Sequence, residues 1–372
     1  MRRLALIACL LTVAITAASA LIRHWQGGLD CAAWHSCAQA LDRGSAAAGE
    51  PPPLIASARL AHRVSASAVG LMVALIALFG WARAGTGQRV AAALALLVTV
   101  FLAWLGRYTP HDLPLVTVGN VLGGLLLVGT LAWFAAARGA PAASGQGQGQ
   151  GPGQGQEGGQ RERGSAPAPG QGFEQGFEQG LEQKPGNMRD GRTRKGRAAR
   201  TAGQMALIAL LLLALTAFVG TMISVRGAVD ACPRLACADG VSVDRQVLDV
   251  RIPGRATPLA AEGLHLVHRG LALGFSLILL AIALTLWRVP RRSTPAIAAG
   301  LLALLALQAG LGAATALGTL PLVTATLHNI VGALLVASLA ALATWSNAPG
   351  RLPEALQSLE PASTASSSAR SA

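Results

Sequence analysis

The sequence predicts an all-α membrane protein in which eight transmembrane helices form two repeated four-helix bundles. Hydrophobic residues make up 52% of the 372 residues and charged residues only 13%, with a mean hydropathy of +0.48, which is unusual for a soluble globule. Eight apolar runs have roughly the 20 residues that a bilayer requires. The two halves of the chain also carry matching motifs, which indicates an internal repeat.

The eight apolar runs fall into two groups of four. They cover residues 4–22, 54–81, 90–106 and a run ending near 137, then 205–225, 264–287, 295–317 and 321–345. We expect the first run to be a retained helix, because the repeat needs a first helix there. The alternative is a signal peptide, since Ala17-Ala18-Ser19-Ala20 resembles a cleavage site.

Residues 139–200 separate the two groups and differ from them in composition. They contain Gly-Gln pairs, a short Gly-Phe-Glu-Gln repeat and a basic run over 189–200. Such a segment cannot bury enough apolar surface to fold, which predicts a disordered linker. The predicted domains are therefore an N-terminal half over 1–138, the linker over 139–200, a C-terminal half over 201–346 and a disordered Ser-, Ala- and Pro-rich tail over 347–372.

The basic residues between the runs predict the orientation. With the eight spans above, they all fall on one side of the membrane: Arg2, Arg3, Arg83, Arg89, the basic end of the linker, Arg288, Arg291 and Arg292. The positive-inside rule makes this side, and both termini, cytoplasmic. The net charge of +13 is thereby explained without nucleic acid, because the basic residues are not interleaved with aromatic ones.

Four of the five cysteines form two closely spaced pairs on the opposite, outer side. Cys31 lies near Cys37, and Cys232 near Cys237. Such pairs on an oxidising face predict two disulfides, with metal binding as the alternative. Cys9 is left over.

The repeat is parallel, since corresponding runs cross the membrane in the same sense. The second run opens with Ala61-His62-Arg63 and the sixth with Val267-His268-Arg269, while the pentapeptide Leu-Pro-Leu-Val-Thr occurs identically at 113–117 and 320–324. We therefore expect the two bundles to be related by an axis along the membrane normal.

His268 and His328 are the candidate site residues of the second half. Ionisable residues inside membrane segments are costly and mark functional sites by default. The two histidines lie towards the outer face at comparable depth, on different helices, where bundles build cofactor sites. Two imidazoles on opposite sides of a macrocycle give a six-coordinate haem suited to electron transfer. The alternative is a pair of unrelated histidines that hydrogen-bond across helices.

The first half keeps only one of these histidines. His62 matches His268. When the two halves are aligned with Gly124 opposite Gly332 and a one-residue gap after the shared Leu-Pro-Leu-Val-Thr, Asn120 stands at the position of His328. We expect a pocket with one strong axial ligand and a polar group opposite, open for chemistry or haem exchange. The alternative is a degenerate half that has lost its site. We expect His111 and His265 to be solvated near the outer surface, although His265 shares a helix face with His268 and could contact a haem propionate. Arg63 and Arg269 could pair with propionates, or alternatively extend to the membrane interface.

The chain resembles the haem A synthase family of bacteria and mitochondria, over nearly all of its length except the linker and both tails. In the first half the resemblance is carried by residues 20–23, 28–31 with Cys37, 61–63, 105–109 and 113–117. In the second half it is carried by Cys232 to Cys237, 268–269, 307–312 and 328–329.

This resemblance implies that His268 and His328 hold a haem b cofactor, and that His62 ligates the substrate, haem o. The C8 methyl group of haem o would be oxidised to the formyl group of haem A for an aa3-type terminal oxidase. The implied partners are haem O synthase, the terminal oxidase assembly, the lipid bilayer of the bacterial inner membrane and further copies of the chain.

Two departures from the family pattern favour an alternative function. Asn120 stands where the family has a second histidine, and Arg59 stands where many members have a glutamate, with Glu50 the nearest acidic residue upstream. The competing interpretation is a haem-binding electron-transfer or haem-handling membrane protein that has lost the oxidation. A transporter is a third, weaker hypothesis, because parallel repeats are common there, but broken helices and midplane charges are not evident.

Overall fold

The computed structural model describes residues 1–26, 52–108, 114–137, 186–226, 232, 258–289 and 293–344. These residues form eight long helices: α1 Arg2–Gln26, α2 Pro53–Gly80, α3 Thr86–Tyr108, α4 Pro114–Ala136, α5 Gly186–Val225, α6 Pro258–Trp287, α7 Ser293–Ala316 and α8 Pro321–Ala343. Each contains a segment long and apolar enough to cross a membrane. The predicted fold class, an all-α multi-pass membrane protein, is confirmed.

Each half closes into a ring of four helices. In the first half, α1 packs on α2, α2 on α3, α3 on α4 and α4 back on α1, and in the second half α5 to α8 repeat this order. The helices α2 and α4 are therefore diagonal in one ring, as α6 and α8 are in the other. The two rings meet through α1 against α8, α4 against α8 and α4 against α5. This set of contacts is unchanged when the halves are exchanged, as the predicted parallel repeat requires.

The contact between α4 and α8 is close because it involves small residues. A Cβ atom added to Gly129 would lie 3.1 Å from Cγ1 of Val336 and 3.8 Å from the Cβ of Ala340. Without a hydrophobic driving force between helices in lipid, such close packing is what holds transmembrane helices together. The outward surfaces of both rings carry exposed leucines, such as Leu78 at 73% and Leu97 at 66% exposure, which suit contact with lipid.

The turn between α7 and α8 positions the start of the helix that carries His328. Gly318 and Leu320 both have positive φ angles, of 72° and 43°, and this backbone conformation is costly for leucine. Pro321 then begins α8, a position where its missing N–H is not needed. The hydroxyl of Thr315 donates to that of Thr324 at 3.0 Å, which ties the end of α7 to the first turn of α8.

Helix α5 begins earlier than the sequence predicts. It starts at Gly186, inside the segment 139–200 that we expected to be a disordered linker. Because Arg, Lys, Ala and Met are good helix formers, the basic run over 189–200 extends the transmembrane helix instead of ending it. Residues 138–185 and the predicted tail over 347–372 lie outside the described residues, so the rest of the domain division stays a prediction.

The cysteines are only partly described. Cys9 is a free thiol buried on α1. Cys232 is buried at 2% exposure and is disulfide-bonded, with its partner outside the described residues. Cys31, Cys37 and Cys237 also lie outside them, so the predicted pairing stays a prediction.

Candidate functional site

His268 of α6 lies against α5. Its Nδ1 atom is 3.1 Å from the backbone carbonyl oxygen of Thr216. A Cβ atom added to Gly220 would lie 3.0 Å from Cε1 and 3.3 Å from Nδ1 of the same ring. The half-buried imidazole therefore packs into a space on α5 that exists because residue 220 has no side chain.

His328 of α8 lies against α7 in the same manner. Its Nδ1 atom is 3.0 Å from the carbonyl oxygen of Gln308. A Cβ atom added to Gly312 would lie 3.2 Å from Cε1 and 3.4 Å from Nδ1 of the ring. The two histidines of the second half thus share one local arrangement on two different pairs of helices.

The shared arrangement has a simple physical cause. In each case the glycine lies four residues after the residue whose carbonyl accepts the hydrogen bond. A helical carbonyl bonds the N–H four residues on and keeps a second lone pair. Only when that later residue lacks a Cβ can an imidazole ring approach the carbonyl from the side.

These hydrogen bonds also define the tautomer of each histidine. A carbonyl oxygen can only accept, so Nδ1 of His268 and of His328 must carry the proton and donate it. The Nε2 atom of each neutral ring is then left with a lone pair. Metal-binding histidines are commonly oriented in this way, by donating the other ring N–H to a backbone carbonyl.

The side chain of Gln308 contacts the lone pair of His328. The Nε2 atoms of the two residues are 3.0 Å apart, so the amide donates to the imidazole. The Oε1 atom of Gln308 is buried and has no hydrogen-bond partner. A metal ion bound to His328 would take the place of this amide, and the residues present fit such a replacement because they already hold the imidazole in its neutral form.

His268 and His328 lie on the diagonal helices α6 and α8 and are near enough to interact electrostatically. Two neutral imidazoles from facing helices fit a haem, in which the macrocycle supplies the other four iron ligands. Within the described helices there is no cluster of three or more His, Cys, Asp or Glu side chains that could hold a metal ion by themselves.

The first half places His62 on α2 and Asn120 on α4, again on diagonal helices, and both side chains are half-buried. The hydrogen bonds that orient His268 and His328 have no counterpart at His62 in the described part of the first half. The two sequence-predicted residues are therefore on the expected helices, but His62 is less constrained than either histidine of the second half.

The helix α3 also differs from its counterpart α7. Gly106 follows Leu105 as Gly312 follows Leu311. Among the described residues no atom lies within 4 Å of a Cβ added to Gly106, whereas Cε1 of His328 lies 3.2 Å from a Cβ added to Gly312. Four residues earlier, α3 has Leu102 where α7 has Gln308. The first half thus lacks both the ring and the amide found in the second.

The remaining predicted residues are distributed as follows. Arg59 is half-buried on α2, and Arg63 is exposed one turn further on. His265 and Arg269 are half-buried on α6, and both have interaction partners. His111 lies outside the described residues. The candidate site is therefore built mainly from His268 and His328 and the helices behind them.

Sequence reasoning missed a polar cluster where α1 meets α8. Asn329, next to His328, accepts a hydrogen bond on Oδ1 from Nη2 of Arg23 at 3.2 Å. Its Nδ2 atom donates to the carbonyl of Ala325 at 2.8 Å and to Nε2 of His24 at 3.1 Å. The sequence offered a signal, because Arg23 and His24 are two polar residues at the end of an apolar run.

The roles of Thr216, Gly220 and Gly312 were missed as well. The sequence pattern that could have found them is a polar or small residue followed four positions later by glycine, on a helix that faces a histidine-bearing helix.

Comparison with known families finds a match for the second half. A family model described as COX15-CtaA, cytochrome oxidase assembly protein, matches residues 179–340.

These residues are similar to that family, and the match covers less than half of the chain. The matched part contains α5, α6, α7 and most of α8, with both His268 and His328. The resemblance to the haem A synthase family is thereby confirmed for the second half, and a cytochrome oxidase assembly role is supported. His62, Asn120 and Arg59 lie outside the matched residues. A search of curated proteins finds no match to the chain.

Proposed function

We propose that this cytochrome oxidase assembly protein is a membrane haem A synthase. It would oxidise the C8 methyl group of haem o to the formyl group of haem A, for use by an aa3-type terminal oxidase. The observation that carries the proposal is the matched orientation of His268 and His328 on diagonal helices of the half that matches the family model.

In this proposal His268 and His328 would hold the iron of a resident haem b. A haem held by two imidazoles would supply one-electron transfer. The protein contributes the neutral tautomers, which the carbonyls of Thr216 and Gln308 enforce. It also contributes the ring positions, which Gly220 and Gly312 permit.

The first half would bind the substrate. His62 would ligate haem o, and Asn120 on the diagonal helix would face the same pocket without closing it. A weakly constrained ligand suits a haem that must arrive and leave, whereas a tightly oriented pair suits a resident one. This contrast between His62 and the two second-half histidines supports giving substrate and cofactor to different halves.

The surroundings follow from the same proposal. Eight apolar helices support a multi-pass membrane protein, and we place it in the bacterial inner membrane with both termini cytoplasmic. Haem O synthase is the expected supplier of substrate, and the terminal oxidase under assembly is the expected recipient of product. A homo-oligomer is compatible with the exposed apolar faces.

A second candidate function is favoured by the first half. Arg59 stands where a glutamate is expected, Asn120 replaces a histidine, and no described residue contacts the position that a Cβ on Gly106 would take. These departures favour a haem-binding electron-transfer or haem-handling protein without oxidation activity. The two candidates share the haem of the second half and differ only in the product.

Complementation of a strain that lacks haem A separates them. The full-length chain should restore haem A, which is detected by extracting haems from the membranes, when the host supplies haem o. The His62→Ala variant should fail to restore it while still binding one low-spin haem. A wild-type protein that binds this haem and yields no haem A would contradict the synthase and support the second candidate.

A further inference from the structure

The polar cluster where α1 meets α8 contains two buried N–H groups that have no acceptor among the described residues. They belong to Arg23 and His24 in the last turn of α1, and His24 is only 6% exposed. The Nε atom of Arg23 and the Nδ1 atom of His24 are both buried and have no hydrogen-bond partner in the described part of the chain. Buried polar atoms are nearly always paired, so each such atom calls for an explanation.

The protonation of these atoms follows from the hydrogen bonds around Asn329. A guanidinium can only donate, so the atom facing Arg23 must be the amide oxygen of Asn329. Its nitrogen therefore faces His24 and donates to Nε2. Because Nε2 accepts, the neutral ring of His24 carries its proton on Nδ1, which makes the unpartnered atom a donor.

The two unpartnered atoms thus both require a hydrogen-bond acceptor. Both are N–H donors on consecutive residues, and one belongs to a cation that meets no carboxylate among the described residues. A neutral acceptor would satisfy the hydrogen bonds but leave the partly buried charge of Arg23 without a counter-charge. An anionic acceptor would satisfy both, and a carboxylate accepts from arginine with particular strength.

We propose that Arg23 and His24 form a carboxylate site for a propionate of the haem ligated by His328, an inference that rests on the proposed function of the second half. Asn329, which contacts both residues, directly follows His328. His24 and His328 are near enough to interact electrostatically. The pair is therefore next to the pocket whose ligand carries two carboxylates at its edge.

Burial favours the haem over a lipid as the source of the carboxylate. The ring of His24 is enclosed between α1 and α8, at the junction of the two halves. A lipid headgroup would instead be bound at an exposed rim. The site also has a structural consequence: α1 belongs to the first half, so a haem loaded into the second half would hold the two halves together.

Titration with two forms of one haem tests the site. The probes are iron protoporphyrin IX and its dimethyl ester, in which both propionates are blocked but iron ligation is unchanged. The full-length protein should bind the free acid more tightly than the ester. The Arg23→Gln variant, which keeps a donor for Asn329, should lose about tenfold in affinity for the free acid and keep its affinity for the ester.

Two further variants complete the test. Arg23→Lys should retain most of the preference for the free acid, because it keeps the charge. Arg200→Gln, which removes an exposed arginine from α5, should change neither affinity. Equal loss for both probes in Arg23→Gln would overturn the proposal and make the cluster a clamp between helices, and so would a wild-type protein without any preference.

Repeating the titration in a His62→Ala background shows which haem supplies the carboxylate, because the first half then lacks its proposed iron ligand. If Arg23→Gln no longer lowers the affinity for the free acid there, the propionate belongs to the first-half haem and the proposal as stated is wrong. Failure of the proposed function is detected by a different measurement, made before the titrations. In that case the His268→Ala and His328→Ala variants would have the same haem spectrum as the wild-type protein.

Discussion

The imidazole of His328 rests on Gly312, such that a Cβ atom added to the glycine would lie 3.2 Å from Cε1 of the ring. The same relationship holds between His268 and Gly220, at 3.0 Å. Contacts this short are at or below the usual limit, so a side chain at either glycine would push the ring away. The position of each proposed iron ligand is therefore determined by a residue on the neighbouring helix.

Gly312→Ala is expected to weaken haem binding without unfolding the protein. The added methyl group would shift the ring of His328 by a few tenths of an ångström and strain its bond to the carbonyl of Gln308. Overpacking of this kind costs roughly 1–3 kcal/mol. The measurement is the low-spin haem spectrum and haem content of the purified variant.

Gly310→Ala is the matched control, because it makes the same change two residues away on the same helix. No atom of the described helices lies within 4 Å of a Cβ added to Gly310, so haem content should remain at the wild-type level. Equal losses in the two variants would indicate that helix α7 tolerates no added methyl group. The proposed link between Gly312 and His328 would then be wrong.

Replacing either histidine of the second half by alanine is expected to abolish the low-spin bis-histidine spectrum. His268→Ala and His328→Ala each leave a five-coordinate iron, whereas His62→Ala should spare the spectrum, because it belongs to the other ring. Optical spectra and haem content of the three purified variants provide the test. If His62→Ala alone destroys the signal, the cofactor has been assigned to the wrong half.

The fold could be predicted from the sequence because membrane helices and repeats leave strong signals. Apolar runs of sufficient length predicted all eight spans, and the identical pentapeptides at 113–117 and 320–324 predicted the repeat. The start of α5 was misplaced, since glycine and charge in residues 186–200 resemble a linker. Helix formation there depends on continuity with the apolar run that follows.

The site was predictable only in part. His268 and His328 stand out because ionisable residues are rare in membrane spans. The groups that orient them are a threonine carbonyl, a glutamine and two glycines, which are ordinary residues in any apolar helix. Their role depends on which helices are neighbours, and the contact between Arg23 and Asn329 joins residues 306 positions apart.

Thiol labelling is expected to find a single free cysteine in the chain, Cys9. Cys232 is disulfide-bonded, and its predicted partner is Cys237, with Cys31 paired to Cys37. Each bond would close a small loop, with a stabilisation on the order of 2 kcal/mol. The protein must be denatured without reduction, since Cys9 is buried at 6% exposure. Labelling of more than one thiol would contradict the two disulfides.

Deletion of residues 140–180 is expected to leave haem binding intact. The deletion ends before α5 begins at Gly186, and a change in the length of a connection alters the entropy of loop closure only slightly. Haem content and the low-spin spectrum are the measurements. As a control, a deletion of the same length placed at 156–196, which removes the start of α5, should disturb that helix. A 140–180 variant that inserts normally but lacks haem would make the linker structural.

Asn120→His is expected to tighten haem binding in the first half and to slow turnover. The variant restores an imidazole at the position that matches His328, on the helix diagonal to the one that carries His62. Gly106 of α3 corresponds in sequence to Gly312, and no atom of the described residues lies within 4 Å of a Cβ added to it. A second axial ligand would hold the haem more firmly and close the position that remains open opposite His62.

The gain in affinity should be about tenfold or more, if the new bond contributes at least 1.4 kcal/mol. It is measured by haem titration in a His268→Ala background, where the second half no longer contributes its low-spin signal. Asn120→Gln is the control, because it adds comparable bulk without an imidazole, and it should leave the affinity unchanged. Turnover is followed by haem A content in the complementation strain. Tighter binding in Asn120→Gln as well would show that bulk, and not ligation, fills the pocket.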